Sequence, residues 1–200
     1  MQQTSPGGFK ARLRQLGRRQ QWAFMAALCE RLMPNYALYA QMTGQGDSAA
    51  LRVVLDLVWE VLTVRDARID FARQAEKLAE LEPPGDDDSF GARRAVETVV
   101  ALSTLLDALQ GELPGAPLEV SRLSTSGVQA YVEMTEGAEE DDTEQAAARL
   151  NAHPLMDDER DFQEAALEAA EGELDREALK ALRRLGRNDG VSNLGLSLES

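Results

Sequence analysis

Residues 48–64, SAALRVVLDLVWEVLTV, set apolar side chains around most of a helical wheel: Leu51, Val53, Val54, Leu55, Leu57, Val58, Val61 and Leu62. Arg52, Asp56, Trp59, Glu60 and Thr63 share the remaining strip, because steps of three and four residues return to one face. A helix apolar nearly all round is one that other elements surround. It is too short and too charged to span a bilayer. The stretch therefore predicts a central helix with one polar seam.

The flanking sequence supplies helices to pack on it. Alanine, leucine, glutamate and arginine dominate the chain, all strong helix formers, and alternating strand-like runs between turn signals are absent. Phe9, Leu13 and Leu16 mark a short basic helix. A second runs from about 18 to 33, with Trp22, Met25, Cys29, Leu32 and Met33 on one side. Pro34 is expected to end it, since the residue before proline resists helical geometry. A short helix over 35–42 follows, with Asn35 as N-cap and Gly44 as terminator, and Asp47 or Ser48 caps the central helix.

Further helices are expected over about 66–81, 90–110 and 117–136, with Asp88 or Ser89 capping the second of these and Gly111 and Gly137 as stops. The segment GAEEDDTEQ reads as a charged loop. Beyond it come a helical turn or two ending at His153-Pro154, an amphipathic helix weakened by Gly172, and a last helix over about 174–185. The whole is an all-α, irregular single-domain bundle of eight to ten helices around residues 48–64. It occupies residues 9–190, after a disordered lead-in (1–8) and before a C-terminal tail (191–200).

Charge bounds the function. The net charge of −14 is uneven: residues 1–31 carry +5, while residues 133–177 carry −14. That balance disfavours general nucleic-acid binding, whose phosphates demand a basic footprint. With a single cysteine, Cys29, there is neither an intramolecular disulfide nor a cysteine-based zinc cluster. The apolar run 22–29 is too short for a signal sequence, so a cytoplasmic location is expected.

Chemistry-bearing motifs are sparse. Phosphate-binding glycine loops and the nucleophile elbow are missing, and the one histidine, His153, cannot supply a di-iron bundle. His153 reads as a surface residue, Asp86-Asp87-Asp88 as a solvated turn and cap, and Cys29 as a small core residue. Ser121, Ser124, Thr125, Ser126 and Gly127 read as small residues that let two helices approach. No cofactor and no metal site is expected.

The polar seam is the candidate site. Arg52 and Asp56 are spaced to pair, Asp56 and Glu60 to repel. Two carboxylates on a largely buried helix need cations, protons or water to balance them. Glu30, Arg31, Asn35 and Tyr36 lie where the second helix ends and are expected to meet Asp56, Trp59 and Glu60. Such a cluster is either a structural charge network or a polar pocket with shifted carboxylates.

Two long segments, FMAALCERLMPNYA (24–37) and LDLVWEVLTV (55–64), resemble the YjaG-like bacterial proteins, family 416 of the domains of unknown function. Glu119-Val120-Ser121, Glu133-Met134-Thr135 and the tail Ser192-Asn193-Leu194-Gly195 extend the likeness over nearly the full chain; residues 138–155 depart from it. The resemblance implies an all-helical single domain and brings no activity, substrate or site residues. The expectation is a non-enzymatic interaction or regulatory protein with another protein as partner. The alternative is a small-ligand protein or unrecognised enzyme with a pocket at Glu30, Arg31, Asp56 and Glu60.

Overall fold

The computed structural model describes residues 7–136 and 143–198. The lead-in 1–6, the loop 137–142 with its expected stop at Gly137, and residues 199–200 lie outside these. Among the described residues there are nine α-helices and no strand: α1 (Phe9–Gln15), α2 (Arg18–Thr43), α3 (Ser48–Thr63), α4 (Phe71–Ala79), α5 (Phe90–Gln110), α6 (Ala116–Glu136), α7 (Thr143–Asn151), α8 (Pro154–Glu171) and α9 (Arg176–Arg187). None is long and apolar enough to cross a membrane. The all-α expectation holds.

The organising helix is α2 rather than residues 48–64. α2 packs on α3, α5, α6, α8 and α9, whereas α3 packs on α2, α4 and α9. Every residue of α2 from Ala23 to Met33 is buried, Glu30 and Arg31 included. Along α3, by contrast, Val53 is 55% exposed and Glu60 is exposed. The valines of α3 made it look surrounded. The charges of α2 hid that α2 is, because the groups that neutralise them come from distant helices.

Pro34 does not end α2, which continues unbroken to Thr43. A proline inside a helix removes one N–H and crowds the carbonyl four residues back, at a cost of about 3 kcal/mol. Tertiary packing overrides that local cost. The next turns bury Tyr36 and Tyr39, and their hydroxyls donate to Leu81 O at 2.7 Å and Asp87 Oδ2 at 3.0 Å. There is accordingly no separate helix over 35–42. Gly44 does terminate α2, in the left-handed conformation with its N–H on Ala40 O.

Local signals elsewhere read true. Asp47 and Ser89 each accept a first-turn N–H, at 2.9 and 3.2 Å. Two boundaries differ. The helix expected over 66–81 begins only at Phe71, capped by Asp70, after a turn in which Asp66 is left-handed. Gly172 closes α8 instead of weakening it, so that α9 starts at Arg176.

A polar clasp between three helices

Glu30 is the centre of a charge cluster that joins three helices. Its side chain is fully buried on the face of α2 that meets α9. The two helices approach closely because Gly186 has no side chain: a Cβ there would lie 2.6 Å from Ala27 O and 2.9 Å from Glu30 Cβ. One turn before Gly186, Arg183 donates from Nε to Glu30 Oε1 at 3.1 Å and pairs with Asp56 of α3. One position after it, Arg187 Nε stands 3.6 Å from Glu30 Oε2. From α3, Arg52 Nη1 donates to Glu30 Oε2 at 2.7 Å and lies 3.7 Å from Asp56. The Arg183 guanidinium also sits over the Trp59 ring, 5.6 Å from its centroid. Three guanidiniums thus share two carboxylates and tie α9 to both α2 and α3. A carboxylate so enclosed is satisfied by charge-assisted hydrogen bonds.

The seven residues of the expected seam divide into separate groups. Glu30, Asp56 and Trp59 join the clasp. Arg31, one step round the helix from Glu30, faces α8 instead: its guanidinium stacks 3.8 Å above Phe162 and donates to Leu185 O at 3.3 Å. Burial pulls its pKa below the usual arginine value, with the Glu159 and Asp158 charges opposing. Asn35 donates to Asn193 at 2.9 Å, and Asn193 in turn to Ser124 O at 3.1 Å. Tyr36 belongs to the α2–α3 turn, where its hydroxyl accepts the Asp47 N–H at 3.2 Å. Glu60 is on the surface, outside all of these.

Other polar residues carry structure as well, and Arg183, Arg187, Glu159 and Gln163 are among those the sequence did not single out. Arg183 and Arg187 complete the clasp. Their signal was the spacing Arg176, Lys180, Arg183, Arg187, a cationic face on one helix at the end of an acidic stretch. Glu159 is buried between α8 and α6; Gln163 donates to it at 2.6 Å, and burial pushes its carboxyl up. Ser121 and Gln163 exchange hydrogen bonds at 2.5 and 3.1 Å, which makes the serine cluster a helix contact. His153 caps α8 by accepting the Leu155 N–H through Nδ1 at 3.1 Å, and its Nε2 lies 3.1 Å from Glu136. Cys29 is buried in the core, and burial pushes its thiol pKa up. No group of three or more potential histidine, cysteine or carboxylate metal ligands occurs among the described residues.

The family described as "Protein of unknown function (DUF416)" matches residues 8–197. The uncharacterized protein YjaG of Escherichia coli (strain K12) is 42% identical over 189 residues, covering 92% of this chain and 94% of the relative. An uncharacterized protein of Haemophilus influenzae is 34% identical over 191 residues, 92% and 94% of the two chains. The crystal structure of a DUF416 family protein from Shewanella baltica OS155 superposes with a TM-score of 0.87 at 33% identity, covering 96% of this chain and all of that one. The chain belongs to the DUF416 family of proteins of unknown function.

Proposed function

We propose that this protein acts in the cytoplasm as a non-enzymatic interaction or regulatory protein whose partner is another protein. The observation that carries the reading is where the charge goes. The carboxylates of the clasp are occupied by arginines of the same chain, and the charges left over are segregated on the surface. Lys10, Arg14 and Arg18 are exposed at the start of the chain; Asp158, Asp161 and Glu168 are exposed along α8. Like charges at helical spacing repel one another by a few tenths of a kcal/mol per pair. Retaining them suits a surface that selects a partner electrostatically. The alternative of a ligand pocket at Glu30, Arg31, Asp56 and Glu60 has less support, since these four do not line one cleft.

The test is an affinity-tagged pull-down from the native host's lysate, with bound proteins and small molecules both read by mass spectrometry. The unaltered chain is compared with Lys10→Glu/Arg14→Glu/Arg18→Glu and with Asp158→Lys/Asp161→Lys/Glu168→Lys. A protein retained in stoichiometric amount and lost in one triple variant supports the proposal and locates its surface. Retention of a small molecule alone, lost on Asp56→Asn, would overturn it.

A further inference from the structure

A cavity of about 190 Å³ opens where the α1–α2 junction meets the turn between α5 and α6. Trp22 precedes Glu30 by eight residues on α2, so at 1.5 Å per residue the cavity lies about 12 Å along the helix from the clasp. Leu16 and Ala108, both buried, lie among its walls. The Trp22 ring is another wall, fixed by its indole N–H donating to Ala108 O at 3.1 Å. Leu113, 39% exposed, and Pro114 contribute from the turn. A cavity of about 150 Å³ holds one benzene ring; this open cleft, lined by Arg18, Gln21 and Glu112 as well as by apolar groups, has room for a single aromatic or branched aliphatic side chain.

The charge beside the cavity is unspent. The Arg18 guanidinium stands 5.2 Å from the Trp22 ring centroid, is exposed, and has no carboxylate partner among the described residues. Its neighbours differ. Arg12 grips Glu171 through two hydrogen bonds of 2.9 and 2.7 Å and also pairs with Glu164. Arg19 donates to the carbonyls of Leu174 and Leu62 at 2.9 and 2.6 Å. Lys10 and Arg14, four residues apart and both exposed, add positive charge along α1, though neither lines the cavity. Glu112 is the one acidic residue lining the cavity.

We propose that this cleft receives one apolar side chain from an acidic segment of a partner protein, with the flanking carboxylates of that segment on Arg18, Arg14 and Lys10. The inference rests on the interaction reading above and names the chemistry of the partner. A rigid aromatic wall fixed by a hydrogen bond, next to an unpaired guanidinium, is the composition of an anchor pocket at a protein interface. Attraction to Arg18 and repulsion from Glu112 give the bound segment a direction.

The probe is an acetylated and amidated nonapeptide with a central phenylalanine flanked by aspartates and glutamates. Binding is followed through the indole N–H resonances of the two tryptophans in 15N-labelled full-length protein, assigned with Trp22→Phe. A saturable shift of the Trp22 signal with the Trp59 signal unmoved is expected, with a Kd of about 100 μM or tighter at about 20 mM ionic strength. Changing the peptide's phenylalanine to alanine, or Arg18→Glu in the protein, weakens it at least tenfold, while Glu112→Gln strengthens it. Because the two protein variants must move in opposite directions, a general loss of structure cannot imitate the result. No saturation by about 1 mM peptide, equal binding of a lysine-flanked peptide, or indifference to Arg18→Glu would overturn the proposal. A lysate partner that depends on the acidic face of α8 and not on Arg18 would leave the interaction reading standing and remove this cleft from it.

Discussion

Gly186→Ala gives the packing account a test in which two physical effects predict opposite signs. Judged by helix propensity alone, alanine in place of a glycine inside α9 stabilises by about 1 kcal/mol. The interface with α2 says otherwise. The new Cβ would lie 2.6 Å from Ala27 O, 2.9 Å from Glu30 Cβ and 3.1 Å from Ala27 Cα. None of these is the tip of a flexible side chain, so α9 itself must shift outward. That shift stretches the 3.1 and 3.6 Å contacts of Arg183 and Arg187 with Glu30. Overpacking of this kind costs typically 1–3 kcal/mol; with the clasp loosened as well, the expected net loss is about 2 kcal/mol. For a chain of this size that corresponds to a Tm about 4–8 °C lower. Gly91→Ala is the control: it lies in α5, where the nearest atom to a new Cβ is Tyr39 Cδ2 at an ordinary 3.7 Å, and it should stabilise by up to about 1 kcal/mol. Urea unfolding followed by circular dichroism reads both. If Gly186→Ala equals or exceeds the parent in stability, the close approach of α2 and α9 does not constrain position 186 and the reasoning fails.

Other outcomes follow from single groups. Burial pushes the Glu97 carboxyl up to about 7, although Arg94 Nη2 lies 2.7 Å away and opposes the shift. Between the usual glutamate value and about 7 the native state holds a proton that the unfolded chain has released, so this contribution to stability falls as pH rises through that window, by about 3 kcal/mol at most. Glu97→Gln should flatten the change in urea midpoint between about pH 5 and about pH 8; an unaltered slope would refute the assignment. Pro34→Ala should raise stability by about 1–2 kcal/mol, the helix-interior gain reduced by a more flexible unfolded chain; a loss would show that the ring's own packing outweighs the backbone term. Cys29, 1% exposed with its thiol pKa raised, should react with DTNB only on unfolding. A rapid stoichiometric reaction in the native protein would contradict its place in the core.

What was legible in the sequence was local. Asp47 and Ser89 as caps, Gly44 and Gly111 as stops, and Arg52 spaced to meet Asp56 each depend on residues within a turn of one another. The hub was not legible, because what makes α2 central is the five helices around it. Nor was its passage through Pro34, which depends on where Tyr36 and Tyr39 find partners 45 and 48 residues away. The candidate site failed to assemble as a unit for a related reason. Glu30, Arg31 and Asn35 are close in sequence but point to different neighbours, and Glu30 meets an arginine 153 residues distant. Helical spacing gives the direction of a side chain on its own helix; only the packing of helices says what it meets.

Glu30 is the structural centre of the clasp that ties α9 to α2 and α3. The most direct measurement is a double-mutant cycle of Glu30→Gln and Arg183→Gln in urea unfolding at neutral pH. Breaking a fully buried ion pair costs about 3–5 kcal/mol; because the arginines here are partly exposed, with side-chain exposures of 31, 27 and 51%, about 2–3 kcal/mol is expected for Glu30→Gln. The two substitutions should couple by more than about 1 kcal/mol. Stability unchanged to within about 0.5 kcal/mol on Glu30→Gln, with no coupling to Arg183, would contradict the clasp and return this carboxylate to consideration as a ligand-binding group.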